Sequence, residues 1–94
     1  MKLKEYSSND GRLFVFFCPG CNCDHSYRVG ASKHPSWEWN GSFEVPTFIP
    51  SLRVSRGNNV TECHLFLDKG MLRFLEDCRH SLAGRTVPLP DYPE

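Results

Sequence analysis

The run Arg12-Leu13-Phe14-Val15-Phe16-Phe17-Cys18-Pro19-Gly20-Cys21 decides the fold. Its first half is β-branched and aromatic, the composition of a strand. Its second half stops that strand in a turn. Pro19 presets φ for the first turn position, and Gly20 admits a left-handed second one. Two thiolates two residues apart across a tight turn can share one metal, and amides after the first cysteine can donate to its sulfur. The same spacing serves thioredoxin-type redox motifs, but there the pair opens a helix. Strand-like flanks favour a zinc knuckle at a hairpin tip.

Working outward, Lys2 to Tyr6 alternates polar and apolar, and Ser7-Ser8-Asn9-Asp10-Gly11 reads as a turn, so these two runs form a hairpin. His25 to Gly30 is a short strand closing a second hairpin over the cysteine turn. Residues 31–42 read as loop, with a turn signal at Asn40-Gly41. Phe43 to Val54 carries Pro46 and Pro50, so it is extended without being a fully paired central strand. Arg56-Gly57-Asn58-Asn59 is a turn, Val60 to Leu67 a strand, Asp68-Lys69-Gly70 a turn and Met71 to Leu75 the return strand. Met71, Leu75, Cys78 and Leu82 also recur at helical spacing. The Gly70 turn and the alternation of Leu72 and Phe74 around Arg73 favour the strand. About one helical turn over Asp77 to Leu82, ended by Gly84, should follow it. The proline-rich tail, 86–94, is expected to lie extended on the surface. The fold class is therefore mainly β: one domain over residues 1–94, built of antiparallel hairpins with little helix.

The composition narrows the function classes. Ninety-four residues make one domain with a small core. Eleven basic and eleven acidic side chains cancel, which argues against a general nucleic-acid coat. No 18-residue apolar run offers a membrane helix. Met1-Lys2-Leu3-Lys4-Glu5-Tyr6 does not open a secretory signal, so a reducing, cytoplasmic setting is expected, where structural disulfides are rare. The five cysteines, Cys18, Cys21, Cys23, Cys63 and Cys78, are an odd number. Three of the four histidines lie within two residues of one. Thiolate mixed with imidazole suits zinc, Zn2+.

A structural zinc needs four ligands, and Cys18 and Cys21 supply two. Cys63 and His80 are the first candidates for the rest, with His64, Cys78 and His25 as alternates. Cys63 and His64 are strand neighbours pointing to opposite faces, so only one of them should reach a given metal. Cys63 shares its face with Leu65, Leu67, Leu72 and Phe74; His64 shares the other with Phe66. Asp77, three residues before His80, could orient that histidine from behind, and Glu62 sits beside Cys63.

Phe17-Cys18-Pro19-Gly20-Cys21, Trp39-Asn40-Gly41, Pro46-Thr47-Phe48 with Pro50-Ser51, Cys63-His64-Leu65-Phe66, and Phe74 to Asp77-Cys78-Arg79-His80-Ser81-Leu82-Ala83-Gly84 occur in this order. The string resembles a family of small zinc-binding-type proteins encoded in tailed phages and prophages. The resemblance implies a compact phage accessory protein in the bacterial host cell. It implies no activity. Relatives carry a longer cysteine-containing insert before the Cys-His pair, where this chain has only Ser55 to Glu62, so a second metal site is not expected.

Three functions follow. The first is a protein-binding module on a structural zinc, its partner a phage or host protein met by Trp37, Trp39, Phe43 and Phe48 unless those aromatics fill the core. The second is a zinc-dependent hydrolase with Asp77 or Glu62 as base. The third is a nucleic-acid-binding zinc module using Arg53, Arg56, Arg73, Arg79 and Arg85. The first is the expectation.

Overall fold

Alternation of buried and less buried side chains marks two of the core-facing runs. In Arg12–Cys18 the side chains of Phe14, Phe16 and Cys18 are buried while those between them are not. In Thr61–Asp68 the same holds for Cys63, Leu65 and Leu67. One face of each strand is thus apolar, and two such faces must meet. The computed structural model of the chain describes residues 1–55, 57 and 60–93. Strands β1 (Lys4–Ser7), β2 (Arg12–Cys18) and β3 (Cys23–Val29) form one antiparallel sheet in that order. Strands β4 (Glu38–Trp39), β5 (Phe48–Ser55), β6 (Thr61–Asp68), β7 (Met71–Phe74) and β8 (Thr86–Pro88) form a second, also in sequence order. Among the described residues there is no helix.

The two inner faces share one core. Phe14, Phe16 and Tyr27 from the first sheet join Phe48, Leu52, Leu65, Leu67, Leu72 and Phe74 from the second. The Tyr27 and Phe48 rings stack in parallel, 4.0 Å between centroids. Trp37, Trp39 and Phe43 pack against this core, and Phe48 is inside it. The aromatic set is therefore core rather than a contact surface. Each such side chain contributes about 1.5–3 kcal/mol by leaving water.

Three local features place the chemistry. The β6–β7 turn is the expected one: Asp68 pairs with Met71, and Lys69 and Gly70 between them both have positive φ, 50° and 79°. That is the two-residue turn whose twist matches a hairpin. Strand β5 is interior, but β4 covers only its first two residues, Phe48 and Ile49. Between Phe48 and Leu52 its register against β6 shifts, so Pro50 falls in a bulge and needs no ladder hydrogen bond. Finally, residues 75–84 form successive turns instead of the expected helical one. Cys78 N donates to Leu75 O at 3.2 Å, Ala83 N to His80 O at 3.2 Å and Arg85 N to Leu82 O at 3.0 Å. These bonds close turns separately, because the segment is drawn onto β6: Leu75 N donates to His64 O and Arg79 N to Glu62 O.

The tail does more than run over the surface. Residues 86–88 pair with β7, and Leu89 is buried. The expected turn at 56–59 involves Arg56, Asn58 and Asn59, which lie outside the described residues.

Candidate functional site

Strand β6 has two working faces. On its inner face Cys63 meets the knuckle. Cys18 pairs with Cys23 across the hairpin, and the Cys21 amide donates to Cys18 Sγ at 3.4 Å, the expected amide-to-sulfur bond. Cys18, Cys21, His25 and Cys63 bring four donor atoms within 4.8 Å of one another. His25 arrives from β3, where it sits beside Phe16 and is buried. Its Nε2 has no hydrogen-bond partner. A buried imidazole nitrogen left unpaired costs free energy that a metal would offset. The thiols show the same strain. Cys63 donating to its sulfur holds the Cys18 thiol down to about 4, with His25 adding to the effect. The Cys63 thiol is pushed far up by that same hydrogen bond and by burial. Burial and the neighbouring Cys18 charge push Cys21 up to about 11. One thiolate occupies a place where three are crowded together. A divalent cation there lets the others ionise, so the residues fit a metal.

The remaining candidates stand around this group. His80 Nε2 is 3.4 Å from Cys63 Sγ, and Cys63, Cys78 and His80 form a second close set. The Leu82 amide donates to His80 Nδ1 at 3.2 Å. With Nδ1 accepting, the ring proton sits on Nε2 and points at the Cys63 sulfur. The His80 ring lies directly over Gly20, where a Cβ would overlap it. This is why residue 20 is glycine. The positive φ of the knuckle belongs to Asn22, at 56°. Cys23 is half-buried outside both sets.

On the outer face of β6 stands His64, and it is no part of the metal group. Its Nε2 lies 3.1 Å from Ser51 Oγ. Its Nδ1 lies 3.1 Å from Asp77 Oδ2. Ser51 comes from the β5 bulge, the kind of irregularity that re-aims a side chain. Asp77 comes from the turn segment, held by Cys78 beside it. Cys78 Sγ accepts from His64 N at 3.2 Å and donates to His64 O at 3.1 Å. With its proton on Nδ1 facing Asp77, the imidazole presents a free Nε2 lone pair to the Ser51 hydroxyl. This is the geometry of a nucleophile, a general base and its orienting carboxylate. From the sequence alone His64 is an alternate metal ligand, Asp77 a helper of His80 or a hydrolase base, and Ser51 carries no role. Among the described residues, Glu62 enters through its backbone carbonyl, which accepts from Arg79 N.

No curated protein and no solved structure matches the chain. A family model described as bacterial ubiquitination-like system serine protease (BubE) matches residues 2–75, a stretch that holds the knuckle, Ser51, Cys63 and His64. With most of its length matched, the chain belongs to the BubE family.

Proposed function

We propose that this protein is a serine hydrolase of the peptidase type, with Ser51 as nucleophile, His64 as general base and Asp77 as the group that orients it. The observation carrying this reading is the continuous relay Ser51 Oγ to His64 Nε2 and His64 Nδ1 to Asp77 Oδ2, each 3.1 Å. The family description, a serine protease of a ubiquitination-like system, supports the same chemistry. Oγ attacks the scissile carbonyl carbon while its proton passes to Nε2. The tetrahedral intermediate collapses, and Nε2 returns that proton to the departing amine. Water, deprotonated by the same nitrogen, then splits the acyl ester and regenerates the Ser51 hydroxyl. Asp77 stays ionised and stabilises the imidazolium in both halves.

The metal's part is structural. Cys18, Cys21, His25 and Cys63 would hold a zinc ion, and His80 would donate its Nε2–H to the Cys63 sulfur. Three thiolates and an imidazole would supply the four ligands that a structural zinc takes and would leave no position for an activated water. The bound ion supplies cross-linking between β2, β3 and β6. A protein-binding module on the same zinc explains the inner face of β6 but gives the outer-face relay no purpose.

A fluorophosphonate probe tests the reading. Intact-mass analysis should show one adduct, mapped to Ser51, that disappears in Ser51→Ala while the melting temperature stays unchanged. Failure to label the metal-replete wild-type protein, or labelling that survives Ser51→Ala, overturns it.

A further inference from the structure

A cavity of about 290 Å³ opens on the outer face of the second sheet, lined by Thr47, Ile49, Phe66, Asp68 and Arg73 among others. Its position follows from strand periodicity. Phe66 lies two residues after His64 on β6, and in a strand that spacing returns a side chain to the same face. Ile49, which precedes Ser51 in the β5 bulge, also lines the cavity. The cavity is thus one step along the sheet from the Ser51–His64 pair, where the side chain next to a scissile bond would fall. Its walls are Ile49, 57 % exposed, and Phe66.

Two charged groups line it, and only one is occupied. Asp68 belongs to the β6–β7 turn: its Oδ1 accepts from Thr47 Oγ1, which accepts in turn from Lys69 N at 2.8 Å. Arg73 pairs with Phe66 across β6 and β7, and its guanidinium lies over the Phe66 ring, 4.7 Å from the centroid. Among the described residues that guanidinium has no carboxylate partner and no side-chain hydrogen bond. Stacking fixes the guanidinium plane while its N–H edges stay free for a planar anion. Nothing in the fold requires this cation, whereas the fold does use Asp68.

Building on the serine-hydrolase reading, we propose that this cavity is the substrate subsite beside the scissile bond and that Arg73 makes it select a carboxylate. That carboxylate is either an acidic side chain or the terminal carboxylate of a short leaving segment. Ile49 and Phe66 would bury the aliphatic part, and Arg73 would grip the oxygens in a two-point fork.

Peptidyl diphenyl phosphonates with an acidic, a neutral isosteric or a basic side chain beside the phosphorus test this on the metal-replete full chain. The rate of Ser51 adduct formation is read by intact mass. A charge-assisted hydrogen bond predicts at least about tenfold faster reaction of the acidic probe than the neutral one. Arg73→Ala should remove that preference, and Arg73→Glu should turn it toward the basic probe. A second arm protects Ser51 with short peptides ending in a free acid or an amide. If the terminal carboxylate is the ligand, the acid protects wild type better than the amide does, Arg73→Ala abolishes the difference, and the three probes react alike. Equal probe rates together with equal protection by acid and amide overturn the subsite while leaving the triad intact. If no probe modifies Ser51 at all, the hydrolase reading falls and the subsite with it.

Discussion

Cys78 is the joint on which the relay depends, and replacing it gives a measurable cost. Strand β7 ends at Phe74, so β6 loses its neighbour just where His64 stands. The Cys78 thiol stands in for that neighbour. It accepts from His64 N at 3.2 Å and donates to His64 O at 3.1 Å, while Leu75 N also donates to that oxygen at 2.9 Å. Cys78→Ala therefore leaves the carbonyl satisfied and the His64 amide orphaned. An orphaned buried donor costs about 1–3 kcal/mol. Removing the sulfur of a residue only 8 % exposed adds roughly another 1 kcal/mol of lost packing. A total of about 2–4 kcal/mol is a large part of the stability of so small a domain. At a urea m-value of roughly 1–2 kcal/mol/M it moves the midpoint by about 1–4 M. Asp77 precedes Cys78, so the same change frees the carboxylate that orients His64. Under native conditions, fluorophosphonate labelling of Ser51 should slow by roughly 10- to 100-fold, mainly in the maximal rate rather than in probe affinity. Cys78→Ser keeps a donor and acceptor in place and should recover most of both losses. Urea unfolding and labelling, run on the three metal-loaded proteins, check this. A Cys78→Ala protein within about 0.5 kcal/mol of wild type that labels at the wild-type rate refutes the reasoning.

Gly20→Ala should destabilise the knuckle, since the added methyl overlaps the His80 ring and must displace it; thermal melting of the loaded protein reads this, and an unchanged melting temperature contradicts the placement of His80. A chelator should lower the melting temperature strongly and abolish Ser51 labelling, although Ser51 is not among the donors to the metal. Metal titration should show His25→Ala weakening affinity far more than His80→Ala, because His25 offers the unpartnered nitrogen and His80 a proton on Nε2. In the metal-free protein the Cys18 thiol, lowered to about 4, gives stability that is complete above its ordinary value near 9 and lost as pH falls toward 4. Cys21, raised to about 11, gives stability complete below 9 and lost as pH rises toward 11. Melting temperature against pH for the stripped protein should therefore peak near 9.

The hairpin frame and the knuckle were legible because their signals are local. Alternation across 12–18 and 61–68 sets which face is buried, and a Cys-Pro-Gly-Cys turn or an Asp-Lys-Gly turn acts within four residues. The relay is not local. Ser51 sits after a proline in a run that reads only as extended chain, and nothing nearby marks it as a nucleophile. Its chemistry arises when the β5 bulge aims it across to β6. His64, taken alone, reads as a spare metal ligand, and Asp77 as a helper for His80 or the base of a zinc hydrolase. Pro50-Ser51, Cys63-His64 and Asp77-Cys78 nonetheless stand in three of the motif blocks quoted above. Each block held one member of the relay, and that coincidence is the signal that could have found it. His25 stands last among the alternates, its four-residue distance from Cys21 being a workable reach and no more. Its position opposite Phe16, on the buried face of β3, is what brings it to the cluster. Gly20 was read through backbone freedom, whereas its cause is a ring from sixty residues away.

The two centres are tied together by the two-residue period of a strand. Cys63 and His64 are consecutive, so β6 necessarily turns one to the core and the other to the outer face. The turn segment repeats the division in its own way. Asp77 goes out to His64, Cys78 clamps the His64 backbone, and His80 returns inward to the Cys63 sulfur and the knuckle. Displacing Asp77 therefore means pulling His80 off Cys63 and Cys78 off His64. A chain of this size has too little core to fix three relay residues to within a few tenths of an ångström by packing alone. On the proposed reading, a metal held by Cys18, Cys21, His25 and Cys63 directly behind His64 would supply the missing rigidity at the strand where the relay needs it.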